Sequence, residues 1–248
     1  MIQEFFAELV ATFMLILLGD GVVANVLLKD TKGNNGGWVV ITFAWGLAVY
    51  VGIIIAAPYS GAHLNPAVTL GLAAGGLFPW FKVWYFILAQ LVGGFIGALF
   101  VWLFYKHHFD RTENQLFKLL CFCTYPAIKK IGNNFFSEVV ATFVLVYTVF
   151  NVHGATFSAA ELTDVEVGLG SVGGLPVALL VVVIGMALGG TTGYAINPAR
   201  DLPPRIIHTI VPIKGKGSSK WGYSWVPILG PIIGGFIAAL VYYILPIS

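Results

Sequence analysis

Six stretches of this chain are apolar for long enough to cross a bilayer, at roughly 4–28, 38–57, 81–105, 134–152, 174–192 and 223–245. Hydrocarbon offers no hydrogen bonds to backbone amides, so each stretch must satisfy its own as a helix of about 20 residues. Composition agrees: 58% of the 248 residues are hydrophobic and only 10% are charged, where soluble domains carry about 25% charged residues. The expected fold class is an all-α integral membrane protein. A formal net charge of +2, with no dense Lys/Arg run, gives no footing for a nucleic-acid partner. Cys121 and Cys123 are too few and too close for a disulfide framework or a zinc site, and read as unpaired thiols. The first apolar stretch carries Glu4 and Glu8 and lacks a basic leader, so it does not read as a cleavable signal.

The chain repeats itself. FFAELVATF (5–13) matches FFSEVVATF (135–143) at seven of nine positions, an offset of 130. Asn-Pro-Ala occurs at 65–67 and again at 197–199, an offset of 132. These matches define a duplicated unit of three spans plus one short segment: repeat one at about 4–105, repeat two at about 134–245, and a connector at about 106–133, all in one domain. Three is odd, so the second copy enters the membrane from the opposite face. The halves are inverted about an axis in the membrane plane.

Asn is a strong helix N-cap, and Pro suits the first helical position, where its missing N–H costs nothing. Asn-Pro-Ala therefore starts a helix, followed by 66–76 in one repeat and 198–209 in the other. Each would be about 17 Å long, and two end to end reach about 33 Å, close to the hydrocarbon thickness of about 30 Å. Inversion places their N-termini face to face at the midplane as re-entrant half-helices. The segments leading in, SGAHL (60–64) and TGYAI (192–196), become extended backbone at membrane depth, tolerated where it lines a polar cavity. Carbonyls of Gly61, Ala62 and His63, and of Gly193, Tyr194 and Ala195, then form a ladder of acceptors, with the Asn65 and Asn197 amides as central donors. Each helix N-terminus carries about half a positive charge, which repels cations. Such a path suits neutral solutes bearing hydroxyls.

The doubled Asn-Pro-Ala, the repeat, Glu8, Glu138 and Arg200 together resemble the aquaporin family across essentially the whole chain. The resemblance implies a passive channel with no catalysis and no cofactor, built as a homotetramer with one pore per subunit. GGFIG (93–97) and GPIIGG (230–235) supply small faces for close helix packing. By resemblance the narrow outer filter comprises Trp45, Gly185, Tyr194 and Arg200. Water channels usually carry His where Gly185 stands, and Gly leaves room for a carbon backbone. Trp45 and Tyr194 would offer an apolar corner, while Arg200 and carbonyls take hydroxyls. Asp201, Arg205, Pro227 with Ile228, and CTYPAI (123–128) also match the glycerol-facilitator branch. One departure is Tyr194, where that branch carries Phe. The expected function is conduction of glycerol and small neutral solutes with some water. The alternatives are a water-selective channel, or preference for dihydroxyacetone, urea or undissociated lactic acid. A secondary transporter would need a midplane cluster of acids, and an enzyme a nucleophile with its base; neither is evident.

The resemblance gives Glu8 and Glu138 a supporting role, accepting hydrogen bonds from the pore loops, and makes His63 a fixed hydrogen-bonding residue of its loop. Asp20, in LLGDGVV (17–23), has no counterpart in repeat two and reads as a satisfied position near the outer interface. Trp38, Trp80, Trp84, Trp221 and Trp225 read as interfacial anchors. Ten Lys and Arg fall in the first, third and fifth connectors, against Lys82 alone on the opposite face. The positive-inside rule would put those connectors in the cytoplasm; the resemblance implies the reverse, with both termini cytoplasmic. Short termini without a regulatory tail fit a bacterial-type plasma-membrane channel.

Overall fold

The structure, a computed structural model, describes residues 1–159 and 162–245. In chain order it comprises α1 (Ile2–Leu27), α2 (Trp38–Ser60), α3 (Pro66–Ala74), α4 (Trp80–Arg111), α5 (Gln115–Leu120), α6 (Ile131–Phe150), strands β1 (Ala155–Ala159) and β2 (Leu162–Val167), α7 (Leu175–Leu188), α8 (Pro198–Ile210) and α9 (Val226–Ile244). Among the described residues α1, α2, α4, α6, α7 with the 3-10 turn before it, and α9 are long and apolar enough to cross a membrane. Six crossings return both chain ends to one face. The outward sides carry residues such as Phe104, Phe81 and Trp84, all exposed, as lipid contact requires.

Helices in lipid gain little from apolar association alone and pack through small residues that let backbones approach. The glycine-bearing faces of α4 and α9 act this way within the chain. A Cβ on Gly93 would collide with the Leu9 carbonyl of α1, and one on Gly234 with the Val139 carbonyl of α6. Residues 9 and 139 are equivalent at the repeat offset of 130. The next glycine on each face reaches a half-helix of the other repeat: a Cβ on Gly94 would lie 2.6 Å from the Ala199 carbonyl, and one on Gly235 would lie 2.8 Å from that of Ala67. So α4 holds α8, and α9 holds α3.

Several features differ from the sequence expectation, among them three helix ends and one connector. Helix α4 runs on to Arg111, because KHHFDR leaves the bilayer without a breaker. Helix α7 stops at Leu188, where Gly189 and Gly190 follow. Helix α3 ends at Ala74 because Gly76 turns left-handed (φ 74°), with Gly76 N–H on the Ala73 carbonyl and Leu77 N–H on that of Leu72. The connector at 153–173 holds the antiparallel β1–β2 hairpin, pairing Ala155 with Val167. Among the described residues the hairpin is the one pair of strands in an otherwise helical fold.

Candidate solute-conduction site

The two short helices begin as their cap chemistry dictates. Asn65 Oδ1 accepts the Ala67 N–H at 2.8 Å, and Asn197 Oδ1 accepts that of Ala199 at 2.9 Å. Pro66 and Pro198 occupy the first helical positions. Each amide nitrogen then crosses to the other repeat. Asn65 Nδ2 donates to the Ile196 carbonyl at 2.8 Å, and Asn197 Nδ2 to the Leu64 carbonyl at 2.9 Å. The helix starts therefore meet and lock reciprocally. A carboxamide has two N–H donors, so each Asn keeps one more, and both side chains line the central cavity.

The loops entering these helices carry matched backbone strain. Gly61, Ala62 and Leu64 have φ of 80°, 58° and 54°; their partners at an offset of 132, Gly193, Tyr194 and Ile196, have 85°, 36° and 43°. For residues with a Cβ this left-handed region is costly. Buried carboxylates hold both loops. Glu8 Oε1 accepts from His63 N (2.9 Å) and Ser60 Oγ (2.7 Å), and Oε2 from Leu64 N (2.8 Å) and Gln90 Nε2 (2.7 Å). Glu138 takes the Ala195 and Ile196 N–H groups at 3.0 and 2.9 Å. His63 is fixed by Thr69 Oγ1 at 3.1 Å and by the rings of Phe78 and Phe86. The carboxylates take the N–H groups of His63, Leu64, Ala195 and Ile196, while the carbonyls of Gly61, Ala62, His63, Gly193, Tyr194 and Ala195 accept no protein hydrogen bond among those described.

These loops form one wall of a cavity of about 80 Å³. The remaining lining is largely apolar: Leu15, Val49, Val68, Leu145, Val149, Val177 and Val181. A second cavity, of about 140 Å³, is lined by Val23, Ile41, Cys123 and Gly193 among others, and shares Trp45, Tyr194 and Arg200 with the first. Those three residues thus stand between the two spaces. Gly185 lines neither. It lies behind the Tyr194 ring, where an added Cβ would be 2.8 Å from Tyr194 Cζ and 2.9 Å from its hydroxyl oxygen. The Gly185 carbonyl accepts from Trp38 Nε1 at 3.0 Å, and Tyr194 packs edge-on against Trp38. The ring of Tyr194 therefore fills the room that Gly185 leaves. Its hydroxyl has no partner among the described residues.

Arg200 sits with its guanidinium 4.4 Å from the Trp45 ring centre. Its Nη1 donates to Asp20 Oδ1 at 3.1 Å and to the Phe122 carbonyl at 3.3 Å. Asp20 is fully buried, which its place in an apolar run did not reveal. Directly after Arg200 on α8, Asp201 pairs with Arg205 one turn on, a second buried pair at 2.7 Å. Asp201 Oδ2 also accepts from Thr124 N and Oγ1, at 2.8 and 2.7 Å, and Arg205 donates to the carbonyls of Thr124 and Ser219. These contacts tie the 112–130 and 211–225 connectors to the half-helix. Pro227 is buried in the first turn of α9, with Ile228 half-buried beside it. The five tryptophans expected at the interfaces are all exposed.

Several connector lysines are not free charges. Lys118 is buried, bonded to the Lys214 carbonyl, and burial lowers its pKa. Lys216 Nζ caps the end of α8 on the Thr209 and Val211 carbonyls, both at 2.6 Å. Arg111 pairs with Asp30 at 2.7 Å. Cys121 and Cys123 are buried free thiols, and burial raises both above the ordinary thiol range. Among the described residues no group of three or more His, Cys, Asp or Glu is placed to hold a metal.

Comparison with known proteins adds three relatives. The chain is 50% identical over 238 residues to the probable glycerol uptake facilitator protein of Thermotoga maritima, covering 96% of this chain and 97% of that one. It is 49% identical over 242 residues to the glycerol uptake facilitator protein of Streptococcus pneumoniae, covering 98% and 99%. The X-ray structure of the aquaglyceroporin from Plasmodium falciparum superposes with a TM-score of 0.81 at 31% identity, over 97% of this chain and 95% of that one. The model of the family described as major intrinsic protein matches residues 1–242. Inverted repeats, reciprocal Asn caps and relatives agree: the chain belongs to the major intrinsic protein family.

Proposed function

We propose that this protein is a passive membrane channel for glycerol and related small uncharged solutes, with some water conduction, and that it performs no catalysis. The observation that carries the reading is the mixed lining. Asn65 and Asn197 with a spare N–H donor each, Arg200, and the loop residues His63, Tyr194 and Ala195 with their unpaired carbonyls share the cavity with Val and Leu side chains. A polyol has a hydroxylated edge and a C–H edge, so it exchanges water contacts for matched ones on both sides. An ion finds no such exchange. The N-termini of α3 and α8, each worth about half a positive charge, further oppose cations at the centre. Trp45, Tyr194 and Arg200 act as the narrow filter, with Gly185 as the seat for Tyr194. Glu8 and Glu138 are loop supports.

One observation favours the rival within the family, a channel tuned to water or smaller solutes: the Tyr194 ring occupies the space beside Gly185. A homotetramer in a bacterial-type plasma membrane, with both termini cytoplasmic, completes the reading. Lysines tied into the fold, such as Lys118 and Lys216, weaken the charge count that argues for the opposite orientation. Stopped-flow light scattering on proteoliposomes, with glycerol, urea, dihydroxyacetone and lactic acid in turn, tests it. Non-saturating glycerol flux well above that of empty vesicles is expected. Saturable uptake driven by a pH or sodium gradient would identify a coupled transporter instead.

A further inference from the structure

The inverted repeat supplies an internal control for the filter. At the offset of 132, Arg200 corresponds to Val68; at the offset of 130, Asp20 corresponds to Phe150. Each pair sets a charged residue on one side against an apolar one on the other. Although 180 residues apart in sequence, the two charged residues bond to each other: Arg200 Nη1 to Asp20 Oδ1, at 3.1 Å. The residue before Asp20 serves the same place, because a Cβ on Gly19 would collide with the Trp45 ring. Trp45 in turn lies under the Arg200 guanidinium. The Gly-Asp step of α1 thus supports two filter residues at once.

Stability does not account for Asp20. A buried ion pair roughly breaks even against apolar residues of similar volume. Asp20 Oδ2 is buried without a partner among the described residues, a further cost that a purely structural site would shed. An ionisable group held at such expense within a span is a mark of function. Asp201 cannot replace it, since both its oxygens are taken by Arg205 and Thr124.

We propose that Asp20 is a positioning residue of the filter. It pins one arm of Arg200 to the wall, together with the Phe122 carbonyl and the Trp45 face, and balances the guanidinium charge. Nε and Nη2, which have no protein partner among the described hydrogen bonds, are left for the hydroxyls of the solute. Without the carboxylate the guanidinium leans over the passage, which obstructs a three-carbon solute more than water.

This inference rests on Arg200 belonging to the filter, and the test separates the two. Glycerol and water permeabilities are measured in proteoliposomes for wild type, Asp20→Asn, Arg200→Ala and the double variant. A wild type that carries no glycerol defeats the channel reading itself. With a conducting wild type, Asp20→Asn is expected to lower the glycerol-to-water ratio by at least about twofold, the lower end of coupling between contacting residues. In the Arg200→Ala background the same change leaves the ratio unaltered. An unchanged ratio in the wild-type background, an equal shift in both, or a proportional loss of both solutes overturns the proposal. If Asp20→Asn alone fails to fold, Asp20→Glu, which keeps the charge and displaces the carboxylate, takes its place. A glycerol-to-water ratio lowered in the wild-type background and unaltered with Arg200→Ala is expected, and an unchanged ratio or an equal shift in both backgrounds overturns the proposal.

Discussion

Glu8→Gln isolates what holds the first pore loop. In the wild type each Glu8 oxygen receives a backbone N–H, from His63 and Leu64, and also a side-chain donor, from Ser60 and Gln90. Glutamine exchanges one oxygen for an NH2 group, which must then face donors. If it replaces Oε2, Gln90 can rotate its amide, because its own oxygen has no partner among the described residues; the Leu64 N–H cannot adapt. That leaves one buried backbone donor unpaired and removes charge assistance from the others, a loss of about 2–4 kcal/mol. The strain being restrained is of the same size: Ala62 and Leu64, with φ of 58° and 54°, store about 1–3 kcal/mol each. The held conformation therefore loses its dominance. Glycerol permeability per reconstituted molecule should fall about tenfold or more, since 1.4 kcal/mol is a factor of ten. Stopped-flow flux, normalised to folded protein, is the assay. A variant with wild-type flux and an unchanged thermal midpoint would refute the idea that this carboxylate holds the loop.

Other perturbations follow from the same contacts. Gly185→His should sharply reduce glycerol flux while leaving water flux, because its Cβ, 2.8 Å from Tyr194 Cζ, pushes that ring into the passage; equal loss of both would remove Gly185 from the filter account. Arg205→Ala strands the fully buried Asp201 carboxylate, and should cost about 3–5 kcal/mol of stability, read as a lower thermal midpoint in detergent. With burial raising both thiols, Cys121 and Cys123 should resist maleimide at pH 7–8 in the folded protein and react after denaturation, as read by intact-mass spectrometry. Rapid labelling of the folded protein would contradict their burial.

Much of the fold was legible because it follows from local rules. Apolar length gives the spans, and Asn-Pro sequences start helices wherever they stand, so α3 and α8 could be placed before any tertiary contact was known. The duplicated motif then forces their inversion. What was hidden is what the tertiary structure alone creates. Asp20 in LLGDGVV looks like an interruption until Arg200, 180 residues away, arrives beside it. Gly185 and Tyr194 read as separate filter positions, yet the ring packs on the glycine. Asp201 and Arg205 stand one turn apart on α8, but their other partners, Thr124 and Ser219, come from two different connectors. The β1–β2 hairpin left no signal strong enough to separate it from a polar connector.

The central claim is that uncharged polyols cross between the loop carbonyls and the apolar side chains of each chain. Electron cryomicroscopy of the lipid-embedded protein in glycerol tests it most directly. The account predicts a three-carbon molecule at Trp45, Tyr194 and Arg200, hydroxyls toward Arg200 and the loop carbonyls, carbons toward Trp45. Glycerol found solely outside this path, or a passage sealed between Asn65 and Asn197, would contradict it.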